Sequence, residues 1–344
     1  MTMPSLEVLL AGAMLVSLTI YALTGGADFG GGVWELFAWG PRAQEQRGLI
    51  IKAIGPIWEA NHVWLILVIV LLFTCFPPAF SAIATVLHIP LNLMLFGIVL
   101  RGSAFAFRSH YHGKDSAQRP WGPIFAIASV ITPVMLGVIL GAIASGNLHG
   151  KADSFAAIFV HSWLAPFPVA VGIFALVLFA YLAAVYLTLE TDSPRLREDF
   201  RNRALGAAVG VGLMALAVFL LSSSGAPSIG RDLTTSWWTL PLLLATGVMA
   251  AGAIFTLSTG RFHLARLCAM GQVTLILWGW ALAQFPYLVE PTLTIYNAAA
   301  PLATLRVVLF ALVAGAVLLL PSYYFLFRVF KDSSVIGTKP PRPD

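Results

Sequence analysis

Long apolar runs alternate with short polar connections along this chain. Nine such runs can be drawn: about Leu6–Leu23, Ile54–Phe76, Phe80–Leu100, Ile124–Ser145, Trp163–Leu189, Leu205–Ser222, Leu240–Leu257, Phe262–Phe285 and Leu305–Phe327. Each matches the roughly 20 residues that a helix needs to cross the hydrocarbon core of a bilayer. Strands are excluded, because an unpaired edge cannot face lipid. The pattern therefore predicts an all-α polytopic membrane protein of about nine transmembrane helices. It forms a single membrane domain over 1–335 with a short polar C-terminal tail at 336–344.

Charge in the connections gives the orientation. With the N-terminus outside, the inner segments carry 17 of the 20 Lys and Arg residues, and only Lys151, Arg231 and Arg306 fall outside. A miscount by one helix would scramble this alternation, so the pattern predicts an outer N-terminus and a cytoplasmic C-terminus.

Composition agrees: the 344 residues are 59% hydrophobic and 10% charged, with a mean hydropathy of +0.87. No water-soluble core hides that much apolar surface. A net charge of +5 would suggest nucleic acid in a soluble protein, but here the basic residues lie in short loops and report orientation, so no nucleic-acid partner is expected. Cys75 and Cys268 stand alone in apolar surroundings, giving neither a disulfide framework nor a metal site. The start, MTMPSLEVLL, lacks a basic n-region and a cleavage site, so the first run is expected to remain as an anchor.

Against this background a few polar residues stand out. The stretch IGPIWEANHVW places Glu59 and His62 at the start of the second run, roughly 10 Å beyond Lys52 on a continuous helix. Ionisable groups at membrane depth are costly and mark an ion or substrate pathway by default. Glu59 and His62 share one helical face; Trp58 and Asn61 form a neighbouring pair. Upstream, TGGADFGGGVW packs five glycines and Asp28 into eight residues. Gly26, Gly30, Gly31 and Gly32 are read as sites of close helix packing; a phosphate-binding loop is disfavoured because the Walker Lys is absent. If the first helix reaches about Phe37, Asp28 lies ~14 Å from its inner end, at a depth similar to Glu59. Two such carboxylates are not both ionised cheaply without water or cations, which is the chemistry of a proton relay.

Other features read as structure. Arg101 is placed at the inner face as a headgroup anchor, with pairing to an inner carboxylate as the alternative. His88, beside Pro90, reads as bonded to a backbone carbonyl, with haem ligation as the alternative. Glu190 to Asp199 reads as an inner loop, and Pro286 to Asn297 as an ordered outer loop.

Three stretches, GGADFGGGVW, IGPIWEANHVWLI and the late FPYL followed by LTIYNAA, together resemble the second subunit of bacterial cytochrome bd type quinol oxidases, including the cyanide-insensitive branch. The resemblance covers most of the chain. It implies an oxidoreductase subunit in the bacterial cytoplasmic membrane, paired with a haem-bearing subunit I that holds haems b and d, in a complex that oxidises quinol and reduces oxygen to water. It implies no haem or metal in this chain, and a cytoplasm-side proton route through Asp28 and Glu59 with His62, shaped by Trp58, Asn61 and Trp64. It leaves room for a structural quinone or lipid and for a small single-helix accessory subunit, besides membrane lipids. Two departures concern the route: many relatives carry an acid where this chain has Gly25, and some carry Asp where it has Glu59. A proton-coupled secondary transporter is the alternative class, although matching helix interruptions in the two halves are missing from the sequence.

Overall fold

The computed structural model describes residues 5–54, 58–110, 121–148 and 154–331; the side chains at 54, 58–60, 109, 110, 320, 323 and 326–331 are left out of that description. The helices are α1 (Leu6–Leu36), α2 (Ala43–Ile54), α3 (Trp58–Cys75), α4 (Pro77–Val86), α5 (His88–His110), α6 (Trp121–Ala144) and α7 (Phe155–Phe159). They continue with α8 (Pro166–Leu187), α9 (Pro194–Gly225), α10 (Pro227–Thr235), α11 (Thr239–Ser258), α12 (Phe262–Gln284) and α13 (Leu302–Lys331). A short antiparallel hairpin, β1 (Tyr287–Val289) and β2 (Leu293–Thr294), joins α12 to α13. The polar tail at 336–344 falls outside the described residues.

Among the described residues eight helices are long and apolar enough to cross a membrane alone; the bent pair α3–α4, turning through 117° at its break, makes up to nine. The expected all-helical membrane architecture is therefore present. α1 is central: it packs against α3, α6 and α8, while α5 packs on α6, α9 on α8, and α11 on α12. The buried core runs through α1, α3, α6 and α8 and includes Leu10, Leu71, Phe76, Leu87 and Tyr181. α13 stands apart, with only 6% of its spanning window buried.

Three boundaries differ from the hydropathy reading. The third run is two helices, because Leu87 interrupts it, and the second of them passes Arg101 and continues to His110. Hydropathy stops at Arg101 because it scores the charge and not its partner. The loop assigned to Glu190–Asp199 is a loop only up to Ser193; Pro194 occupies the first helical position, where its missing N–H costs nothing, and the charged residues form the opening turns of α9. The first run, drawn to Leu23, continues as one helix through the glycines and Asp28 to Leu36.

Candidate functional site

The glycines of α1 let its backbone touch two neighbours. A Cβ at Gly30 would collide with the Phe179 carbonyl of α8, and one at Gly32 with the Ser129 hydroxyl of α6. At Gly26 it would lie 2.9 Å from the Phe179 ring. Gly31 faces a cavity described below. The contact is locked at its lower end by Trp34, whose Nε1 donates to the Ala180 carbonyl at 2.7 Å.

Between these glycines, Asp28 is held in a buried ion pair. Arg101 of α5 donates from Nη1 to Asp28 Oδ2 at 2.9 Å and from Nη2 to Oδ1, and Nη2 also reaches the Asp28 carbonyl at 3.1 Å. Its Nε donates to Ser129 Oγ at 3.0 Å, and that hydroxyl donates to the Phe125 carbonyl at 2.7 Å. The guanidinium lies 4.7 Å from the ring centroids of both Phe29 and Phe125. Arg101 is 1% exposed and Asp28 4%. Every charged atom of the pair is thus partnered, as a low-dielectric interior demands. Arg101 is therefore not a headgroup anchor. The water or cation expected beside an ionised carboxylate at this depth is, for Asp28, an arginine.

A second pair follows one heptad along. Arg108 Nη1 meets Glu35 Oε1 at 2.7 Å, with exposures of 16% and 4%. Asp28 and Glu35 are seven residues apart on α1, as are Arg101 and Arg108 on α5, so the two helices carry matching rungs spaced by about 10 Å. Sequence reasoning missed Glu35. The equal seven-residue spacing of acids and arginines was the signal that could have found it.

Next to Asp28 a cavity of about 60 Å³ opens between α1, α2, α3 and α8. Its polar lining comprises Thr24, Asp28, Asn61, Tyr186 and Glu190. Asn61 is buried, and its Nδ2 lies 3.4 Å from the Thr24 carbonyl. The structure thus brings Asp28 and Asn61 to one site. His62 is half-buried beside it, with its ring edge-on to Tyr21 at 6.3 Å and to Phe29 at 6.2 Å. Trp64 is half-buried against the core. Trp58 and Glu59 stand in α3 ahead of Asn61, and their side chains lie outside the described residues.

The two ends of the bundle are tied down. On the side where α1 ends, Arg42 grips Asp199 through Nη2 at 2.6 Å and Nε at 2.9 Å; Gln46 donates to the same carboxylate at 3.0 Å and accepts from Arg203 at 2.8 Å. The hydrogen bond and charge of Asp199 push the Arg42 pKa above its ordinary value. At the other end the hairpin is fixed by Asn297, which accepts from the Thr294 amide at 2.7 Å and donates to the Thr292 carbonyl at 2.8 Å. The Ala300 amide, donating to the Cys75 carbonyl at 2.8 Å, ties this connection to the end of α3. Glu290 is buried in the hairpin; burial and the charge of Asp232 raise its pKa, against the hydrogen bond from Ser228. An apolar cavity of about 310 Å³ lies below, lined in part by Val8, Leu15, Val68, Trp278 and Gln284.

Among the described residues no group of three or more His, Cys, Asp or Glu side chains is placed to hold a metal. His88 Nδ1 lies 2.9 Å from the Thr85 carbonyl, and its ring packs edge-on to Phe159 at 5.0 Å. This is a histidine bonded to the backbone at the α4–α5 break, the arrangement expected of it beside Pro90.

Comparison with known proteins bears on the whole chain. The family described as cytochrome bd terminal oxidase subunit II matches residues 6–330. A putative cytochrome bd menaquinol oxidase subunit II of Bacillus subtilis (strain 168) is 22% identical over 325 residues, covering 90% of this chain and 91% of that protein. A cytochrome bd-I ubiquinol oxidase subunit 2 of Escherichia coli (strain K12) is 25% identical over 218 residues, 62% of this chain and 54% of the relative, so that match spans about half the relative's length. The bd oxidase structure from Geobacillus thermodenitrificans superposes with a TM-score of 0.80 over 95% of this chain and 99% of that one; at 23% identity it attests the fold. The helical plan of eight or nine spans, the paired charges inside it and a family match over nearly its full length place this chain in the cytochrome bd terminal oxidase subunit II family, as a multi-pass protein of the bacterial inner membrane.

Proposed function

We propose that this chain is the haem-free partner of a haem-bearing subunit I in a quinol-oxidising, oxygen-reducing complex. Its N-terminal helices stabilise that complex and carry protons from the cytoplasm toward the oxygen site. Haems b and d, held by subunit I, supply the redox chemistry. The side chains of this chain supply charge, water contacts and shape.

The observation that carries the reading is the buried Asp28–Arg101 pair bordering a polar cavity. A charged pair at that depth is expensive to build and is not needed to pack helices, which the α1 glycines already do. Its balanced charge lets a carboxylate sit beside water without an uncompensated field. Protons then pass along the cavity toward Glu59, the acid expected next on the route, with Asn61 orienting water and His62 flanking it. The orientation with the N-terminus outside accords with the basic cluster of Arg42, Arg47 and Arg203 where α1 ends.

The apolar cavity of about 310 Å³ is of the size that holds a small ligand and would take part of an isoprenoid or acyl chain. Gln284, whose buried Oε1 has no hydrogen-bond partner among the described residues, is the polar group that would meet a quinone or lipid head there.

Affinity purification of the tagged chain from native membranes, followed by its visible spectrum, tests the assignment. Haem absorbance in stoichiometric amount is expected from the partner subunit. Haem-free material that carries out solute-coupled proton movement in vesicles would establish the transporter class instead.

A further inference from the structure

We propose that Glu190 is the proton-collecting group at the cytoplasmic mouth of the Asp28 cavity, feeding a short file of water that ends at Asp28 and Asn61. This rests on the proton-route reading above and supplies its inlet.

Glu190 is exposed in the turn that follows α8, whereas Asp28 is buried in α1, yet both line the same cavity of about 60 Å³. The cavity therefore runs from the surface to a buried charge. A water needs roughly 10–15 Å³ of such space, so about four waters fit. Thr24, Asn61 and Tyr186 offer hydroxyl and amide partners along it, and the small Ala27, Gly31 and Ala183 keep it open.

The turn is held in place. Arg197 Nε donates to the Thr188 carbonyl at 3.1 Å and Nη2 to the Thr191 carbonyl at 2.5 Å, while the Glu190 amide donates to the Leu187 carbonyl at 3.3 Å. These bonds use the carbonyls that end α8 and present Glu190 at a fixed point. The step is a simple transfer: the Glu190 carboxyl releases its proton to the first water of the file, and the carboxylate regains one from bulk solvent, leaving no net charge behind.

The test uses the assembled oxidase with quinol-driven oxygen uptake, and proton uptake followed by a pH dye. Glu190→Gln is expected to keep the haem spectrum and slow both rates five-fold or more, and Glu190→Asp to restore most of the rate. Should Glu190→Gln fail to assemble, Ala53→Leu, which narrows the same cavity from α2, is expected to slow turnover similarly. Wild-type rates in Glu190→Gln or Ala53→Leu, with Glu59→Gln slow, would overturn the inlet and leave the route standing. Wild-type rates in all of them would overturn the route itself.

Discussion

Arg101 and Asp28 form a bidentate ion pair, 73 residues apart in sequence and closed off by the rings of Phe29 and Phe125. Removing one member leaves the other charged and stranded, at a cost of about 3–5 kcal/mol. Arg101→Gln alone is therefore expected to lower the yield of haem-loaded complex severely. The double variant Asp28→Asn, Arg101→Gln is expected to recover much of it, because two neutral amides refill the space. Haem per purified protein for the two singles and the double gives the coupling.

The Glu35–Arg108 rung is made by a single Nη1–Oε1 contact, and its arginine reaches water. Solvent partly replaces a lost partner there, so Glu35→Gln is expected to cost only about 1–2 kcal/mol. Thermal unfolding of the complex should rank Arg101→Gln well below Glu35→Gln. Equal losses would show that burial does not separate the rungs.

At Gly30 the obstacle is backbone, which does not swing away as a side chain would. Gly30→Leu is expected to prevent assembly through its clash with the Phe179 carbonyl. Gly12, where an added methyl group would meet nothing within 4 Å, serves as the control; Gly12→Ala should assemble normally and stabilise, if anything, by up to about 1 kcal/mol. Haem recovered with each variant decides it.

Much of this arrangement is legible in the sequence. The span plan follows from run length, since lipid admits few alternatives, whereas the apolar run alone stops at Leu23 and α1 reaches Leu36. Gly30 and Gly32 announce close packing by their density. What the sequence hides is pairing: Arg101 looks like the end of a span because hydropathy scores residues singly, and only the fold shows that Asp28 cancels it. The opening of α9 is hidden for a similar reason, since Arg42 and Gln46 of other elements hold its charged turns at Asp199. Glu190 escapes notice because the cavity connecting it to Asp28 is made by α1, α2, α3 and α8 together.

Glu290 predicts a pH response on the hairpin. Its carboxyl holds a proton more firmly when folded than unfolded, so the folded hairpin binds more protons. Its contribution is complete below the ordinary glutamate value of 4.5 and is lost as pH rises through the raised folded value. Hydrogen exchange over residues 287–295 is expected to quicken across that window, and Glu290→Gln to remove the dependence. Protection that instead grows with pH would contradict the assigned burial.

Whether this subunit carries protons to an oxygen-reducing partner is decided by quinol-driven oxygen uptake in the complex carrying Glu59→Gln, with haem bands verified. A proton route through Glu59 predicts a correctly assembled complex whose turnover falls ten-fold or more and recovers in Glu59→Asp. Turnover at the wild-type rate in that assembled variant would contradict it.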